Sequence, residues 1–436
     1  MNIAFALLIA IVILAAPPSF AGEDLGPVKV EISRTEDGYQ LLRGGKPYRI
    51  KGAGMAVDRV AAFAKHGGNS IRNWTTGDEP QNIQAFLDEA HDNGVTVMLC
   101  LPMQAERWGF DYNNTAAVGE QLEGFRKKVI KYRNHPALLG WIIGNELNHD
   151  YTNSRVYDAV NDVSRMIHEL DPNHPTTTTV AGFFPEVVTD IQARAPDLDF
   201  ISFQAYGMLF AFPKLMKKAG FDAPFMVTEW GAIGHWEVGR TEWGAPIEAT
   251  SSEKADIFMR ANKSILTKMH GQLLGSYAFF WGQKQERTPT WFGLLTESGE
   301  KTEAADVMHY IWNSAWPDNR SPQVRTMRLA GRQPSANVRL KPGARAKARV
   351  IVVDPDGDPL TYRWELKPES GATQVGGDHE EAVRNLDGFI DDADSSTVRI
   401  TAPEPGAYRL FVYAYDGRGN AAHANFPFLV NQRKGR

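Results

Sequence analysis

Between residues 48 and 314 the chain repeats one alternation eight times: a short apolar run, then an amphipathic stretch of helical period. The runs are YRIKGAG (48–54), NSIRNW (69–74), VTVMLCL (95–101), LLGWIIGNE (138–146), TTTTVAG (176–182), DFISFQAY (199–206), PFMVTEW (224–230) and GSYAFFWG (275–282). The segments between and after them predict helices over 57–66, 80–93, 115–133, 152–170, 185–194, 213–219, 251–270 and 301–314. Runs this short and apolar suit strands covered on both faces, and a helix between consecutive strands returns the chain to start the next one in the same direction. Eight such units in about 265 residues match the count and size of a (β/α)8 TIM barrel, an α/β architecture. No nucleotide fingerprint follows the first strand, which argues against an open doubly wound sheet. Gly67 with Gly68, Asn93 with Gly94, and Asp171 before Pro172 supply helix stops. Ser251 or Ser252 is the expected cap of the seventh helix.

The flanks read differently. Turns at Asp37–Gly38 and Gly44–Gly45 make 22–47 a β-hairpin segment leading into a barrel domain over 48–317. Residues 318–345 are rich in Pro, Arg and Ser and read as a linker or first edge strand. From 346 to 436 short alternating strands and Asp-Gly or Pro-Gly turns predict a small all-β sandwich. At the other end, Ile3 to Ala16 is apolar, Pro17 and Pro18 follow, and Ser19 and Ala21 have the spacing of a cleavage site. Residues 1–21 are thus expected to be an export signal, placing the protein in the periplasm or outside the cell. The apolar run is shorter than the ~18–20 residues a membrane span needs.

The formal charge of −5 gives no electrostatic basis for holding nucleic acid or an anionic membrane. Cys100 is the only cysteine, so an intramolecular disulfide and a Cys-based metal cluster are excluded. Lying inside VTVMLCL, it reads as a small core residue. The histidines lack zinc-ligand spacing, and no metal or cofactor is expected. DPDGDP, with Asp354, Asp356 and Asp358, has the oxygens of a Ca²⁺ site, but an Asp/Gly turn is the simpler reading.

Active sites of such barrels form at the C-terminal strand ends. The polar residues expected there are Arg72 and Asn73, Asn145 and Glu146, Gln204 and Tyr206, Glu229, and Trp281. Leaving Glu146 directly after a buried run is costly unless the carboxyl is used. Two glutamates on one rim are the equipment of glycoside hydrolysis. The loop after the third strand adds Gln104, Glu106, Arg107 and Trp108. The loop after the seventh adds His235, Trp236, Glu237 and Trp243, and the eighth adds Gln283, Lys284 and Trp291. Trp and Tyr with few charges suit stacking against C–H-rich sugar faces.

The motifs KYRNHPALLGWIIGNELN, LLRGGKPYRIKGAGM, GGNSIRNW and PFMVTEWG, in this order, resemble the barrel of clan A glycoside hydrolases, most closely family 2. The resemblance covers residues 38–316. It implies a retaining mechanism with Glu146 as general acid/base and Glu229 as nucleophile, the carboxyls ~5–5.5 Å apart. It further implies that Asn145 bonds the sugar 2-hydroxyl, that Arg72 and Tyr206 hold the nucleophile, and that Trp281 is the platform under the cleaved sugar. The tail, with DPDGDPLTYRWEL and GAYRLFVYAYDGRGN, resembles polycystic-kidney-disease-type and cadherin-like Ig modules of bacterial exported enzymes. Full-length family 2 enzymes carry further β-domains ahead of the barrel that shape an exo-acting pocket. Here a hairpin stands in that place, so an open cleft and a β-glucan-type substrate are expected. The same site could instead transfer the sugar to another sugar hydroxyl, or bind carbohydrate without cleaving it.

Overall fold

The computed structural model describes residues 26–56, 58–76, 82–373 and 377–432. The export-signal reading of 1–21 falls outside the described residues. The chain opens with an antiparallel sheet of β1 (Val30–Thr35), β2 (Gly38–Arg43) and β3 (Lys46–Pro47). Eight strands follow: β4 (Gly52–Gly54), β5 (Ser70–Arg72), β6 (Thr96–Leu101), β7 (Leu138–Asn145), β8 (Thr176–Ala181), β9 (Phe200–Gln204), β10 (Phe225–Gly231) and β11 (Leu273–Phe279). They pair in sequence order, all parallel, and β11 closes on β4. The TIM barrel expected from the alternation is therefore present. Its helices are α1 (Val60–Lys65), α2 (Ile83–Asp92), α3 (Thr115–Tyr132), α4 (Arg155–Leu170), α5 (Pro185–Arg194), α6 (Phe212–Ala219), α7 (Ser251–Ser264) and α8 (Glu303–Asn313).

The period-2 alternation of each strand divides the core. On β6, Met98 and Cys100 join Ile142, Phe200, Met226 and Tyr277 in one cluster, while Val97, Leu99 and Leu101 join the helix-facing cluster. Cys100 is a buried free thiol, pushed up to about 11 by burial. Val30 and Leu41 of the opening sheet belong to the inner cluster. The Val30 N–H donates to the Asn173 carbonyl (2.8 Å) and the Tyr39 N–H to that of Gly271 (2.9 Å). Both acceptors lie just ahead of barrel strands, so the hairpin closes the N-terminal mouth and leaves the C-terminal one open to ligands.

The remaining strands are β12 (Gln323–Leu329), β13 (Arg339–Leu340), β14 (Arg345–Val353), β15 (Thr361–Pro368), β16 (Ile390–Asp391), β17 (Thr397–Thr401), β18 (Gly406–Tyr415) and β19 (Ala421–Val430). They form two four-stranded sheets, ordered β12-β14-β17-β16 and β13-β19-β18-β15. Val350 and Ile400 from one sheet and Trp364, Leu410 and Phe426 from the other share one core, as in a β-sandwich. The Pro- and Arg-rich stretch 318–345 gives each sheet an edge strand. In DPDGDP, Asp354 Oδ1 accepts the N–H groups of Asp356 (2.9 Å) and Asp358 (3.0 Å), as an Asp turn does.

Barrel and sandwich meet through a buried polar cluster. The Glu248 carboxylate accepts from Lys254 (2.5 Å), Thr288 (2.6 Å), Thr290 (2.9 Å) and, from the sandwich, Asn425 (2.6 Å). Arg409 donates to the Pro246 carbonyl (2.8 Å) and to Asn425 (2.7 Å). Burial opposes both charges of the Glu248–Lys254 pair. It draws the Lys254 ammonium below its usual range, whereas the surrounding cations and donors bring Glu248 down to about 2. Four donors on one carboxylate decide in favour of the ionic pair. The serines expected to cap α7 serve this interface instead. Thr250 is the cap, in a reciprocal box with Glu253, while Ser251 Oγ accepts the His423 N–H (3.1 Å) and Ser252 Oγ that of Val324 (2.8 Å).

Removing one partner of a buried pair strands the other charge, so Lys254→Met should lower stability by about 3–5 kcal/mol. A further Glu248→Leu change should recover part of that loss. Guanidinium denaturation of the wild type, the single variant and the double variant measures both effects.

Candidate active site

The backbone at the end of β7 delivers a carboxyl to the open mouth. Gly144 takes φ 73°, and a Cβ there would sit 2.5 Å from Leu147. Glu146 itself adopts φ 49°, a region β-carbons disfavour. Its N–H donates to the Thr179 carbonyl (3.0 Å), tying the turn to β8. The strand thus changes direction at Gly144, and the Glu146 side chain enters a cavity of about 1000 Å³ over the barrel mouth. His149 Nε2 bonds Glu146 Oε2 at 3.1 Å, which raises the imidazole above its ordinary value.

Glu229, near the end of β10, lines the same cavity. Its Oε1 accepts from Arg72 Nη1 (2.8 Å) and Trp74 Nε1 (2.8 Å), and its Oε2 from the Tyr206 hydroxyl (2.7 Å). Burial and the charge of Glu146 push this carboxyl up to about 7, against the pull of Arg72, Tyr206 and Lys284. Tyr206 is driven well above its ordinary value, by burial first and then by the glutamates around it, so its hydroxyl stays a donor.

Arg72 is fully buried and forks: Nη1 meets Glu229 and Nη2 meets Asn145 Oδ1. Gln204 Nε2 donates to the same Oδ1 at 2.8 Å. Donors on Oδ1 fix the amide orientation, so the group Asn145 offers the cavity it lines is its Nδ2 donor. Arg72 and Gln204 therefore support the site from beneath, with Gln204 also reaching the cavity wall.

Aromatic rings form the walls. Trp74, Tyr206, Phe279 and Phe280 line the cavity and pack edge to face, with Trp74–Phe279 centroids 5.7 Å apart. Trp108 (58% exposed) and Trp236 (51% exposed) stand on its rim, as sugar-stacking residues would. Three expected residues lie elsewhere. Trp281 is 2% exposed and packs among Phe63, His66 and Trp312, so it belongs to the core; it lies beyond the end of β11, and Phe279 and Phe280 line the cavity instead. His235 is buried against Glu286 (3.2 Å), bracing the seventh loop to the eighth. Gln283 donates to the Pro289 carbonyl (2.8 Å), holding the eighth loop's own turn.

Two contacts had no expectation from the sequence. Trp74 donates to Glu229 and lies under the Arg72 guanidinium, 4.4 Å from the ring centroid; its place two residues after Arg72 on a strand end was the available signal. Asp378 comes from the sandwich and has no local signature.

No family model matches the chain, and no curated protein sequence does. Solved structures of similar fold include the Bifidobacterium dentium β-glucuronidase complexed with coumarin-3-O-glucuronide, 19% identical with a TM-score of 0.51, covering 67% of this chain and 50% of that one. Another is the β-D-glucuronidase of Dictyoglomus thermophilum, 17% identical with a TM-score of 0.50, covering 67% of this chain and 54% of that one. The chain spans about half the length of these structures. The likeness is one of fold: the closed eight-stranded parallel barrel is an architecture this chain shares with β-glucuronidases.

Proposed function

We propose that the protein is a retaining β-glycoside hydrolase of the clan A type, acting on a neutral, β-glucan-type oligo- or polysaccharide. The observation that carries the reading is Glu229, a carboxylate at a strand end held by three donors in the same cavity as Glu146. In the proposed reaction Glu229 attacks the anomeric carbon while Glu146 protonates the departing glycosidic oxygen. The glycosyl ester on Glu229 is then opened by water, whose proton passes to Glu146, and Glu229 is released as carboxylate. Asn145 Nδ2 donates to the sugar 2-hydroxyl. A sugar hydroxyl in place of that water would give transglycosylation. The leader-like residues 1–21 support export.

The charge pattern favours a neutral sugar. The lysine and arginines at the site are already paired: Arg72 with Glu229, Arg107 with Asp378 and Lys284 with Glu286. A uronate carboxylate entering the cavity would meet Asp150, Glu237 and Glu286 on its walls. Recognition then rests on stacking and neutral hydrogen bonds.

Purified enzyme should therefore cleave an aryl β-glucoside at least tenfold more efficiently than the matching β-glucuronide, with the β-anomer appearing first by NMR. Glu229→Gln should abolish turnover. Efficient glucuronide cleavage would refute the neutral-substrate reading, and first appearance of the α-anomer would refute retention.

The pH profile provides a further test. Glu229 must be ionised to attack, and its folded value lies near 7. Activity is therefore present above that value and lost as pH falls through it, so kcat/KM on an activated aryl glucoside should show an acid limb near 7. Glu146→Gln removes a negative charge that raises Glu229, so the limb should move to lower pH. On substrates with poor leaving groups the same change should cost about 10²–10⁴-fold.

A further inference from the structure

The C-terminal sandwich contributes to the cavity wall beside two of the barrel's loops. Between the third loop, with Arg107 and Trp108, and the eighth, with Lys284 and Glu286, the described barrel residues lining it are Ala56 and Trp74. Gly377, Asp378 and His379 of the sandwich line the cavity as well. Their segment, between β15 and β16, is tied to both of these loops. On the eighth-loop side, Glu380 is buried and accepts from the Arg287 N–H (2.9 Å), Gln285 Nε2 (3.0 Å) and Ser370 Oγ (2.7 Å). On the third-loop side, Asp378 takes a two-pronged bond from Arg107, with both nitrogen–oxygen distances 3.0 Å.

This pairing reaches a sugar-stacking surface. The Arg107 guanidinium lies over the Trp108 ring, 4.7 Å from its centroid, and the Trp108 ring is exposed on the cavity rim. A planar guanidinium held at two nitrogens has little freedom left, and the ring beneath it is held in turn. The same short turn is tied to the chain after Glu146: Glu106 accepts from the Thr152 N–H (2.8 Å) and hydroxyl (2.6 Å) and from the Asn153 N–H (3.0 Å). Arg107 and Trp108 therefore stand on the Glu146 side of the cavity. In the hydrolase reading, Glu146 protonates the leaving oxygen, so the sugar beyond the scissile bond lies on that side.

We propose that Asp378 is a positioning residue through which the C-terminal sandwich holds Arg107 and Trp108 as the platform of the leaving-group subsite. The inference rests on the glycoside hydrolase reading and assigns to the sandwich the recognition of sugar units past the bond that is cut. Asp378 touches Arg107, and Trp108 carries the stacking contact.

The test uses the full chain with Asp378→Ala, Asp378→Asn, Trp108→Ala and the Asp378→Ala/Trp108→Ala double variant, on a β-linked glucotetraose and on β-glucosyl fluoride. The tetraose places sugars beyond the scissile bond, and the fluoride places no ring there. For Asp378→Ala the tetraose kcat/KM should fall at least tenfold more than the glucosyl fluoride kcat/KM, chiefly through KM. Trp108→Ala should show the same bias, and the double variant should lose little more than Trp108→Ala alone, because one residue acts through the other. Asp378→Asn, which can accept only one prong, should fall between wild type and Asp378→Ala. Equal losses on the two substrates, no loss on either, or additive losses in the double variant would overturn the assignment. Titration of tryptophan emission with the tetraose separates this from the function itself. If the wild type cleaves nothing but binds the tetraose, and Asp378→Ala weakens binding tenfold, the hydrolase reading fails and the platform stands. If the wild type neither cleaves nor binds, both fail.

Discussion

A single buried guanidinium organises the open mouth of the barrel. Arg72 has no exposed surface, and an ion placed there needs its charge answered within reach. Glu229 answers it on one side and Asn145 Oδ1 on the other, while Trp74 gives the cation a ring face. The carboxylate that would attack, the amide that would read the sugar and the wall nearest them are thus arranged around one group. The barrel makes this possible, because β5, β7 and β10 all end on the same rim. The arrangement has an energetic consequence. Burial works against the Glu229 charge, and Arg72, Trp74 and Tyr206 replace the water that has been removed.

Much of this was legible because it follows from strand chemistry. A parallel strand covered on both faces cannot carry Arg or Glu at its middle, so those residues announce where strands end and which end is used. Arg72, Asn145, Gln204, Tyr206 and Glu229 were found this way, and they lie together. Trp281 shows the limit. Beyond the end of β11 the period of two no longer assigns faces, and an aromatic residue satisfies either cavity or core. Its polar flank, GQKQ, belongs to the loop beyond and gives no phase for the strand. His235 and Gln283 lie outside the cavity lining for a different reason: long loops use polar side chains to hold themselves, and composition does not separate such a brace from a ligand contact.

The sandwich was legible as a fold and silent as a participant. Its strands show in the alternation of RAKARVIVV and TYRWELKP, where apolar positions face one shared core. Its role at the cavity depends on Asp378 meeting Arg107, 271 residues away in sequence, and nothing local marks either residue as half of a pair. The buried Glu248 cluster and the serines of α7 hold the two domains together. Asp378 can then act as a fixed part of a barrel-borne site.

That fixity bears on how the cavity selects. Its cations are held in internal pairs, so an anionic ligand would gain little from its charge, and in the proposed reading affinity comes from rings and neutral hydrogen bonds. Stacking is tolerant of which sugar is presented and demanding about where the ring surface lies. Selectivity in such a site therefore follows from the placement of Trp74, Trp108 and Trp236. Trp74 is set by Arg72 from within the barrel, Trp236 packs on Tyr206, and Trp108 is set from outside the barrel by the Arg107–Asp378 pair. Internal ion pairs that place aromatic rings would thus confer specificity on a site that presents almost no free positive charge to a bound sugar.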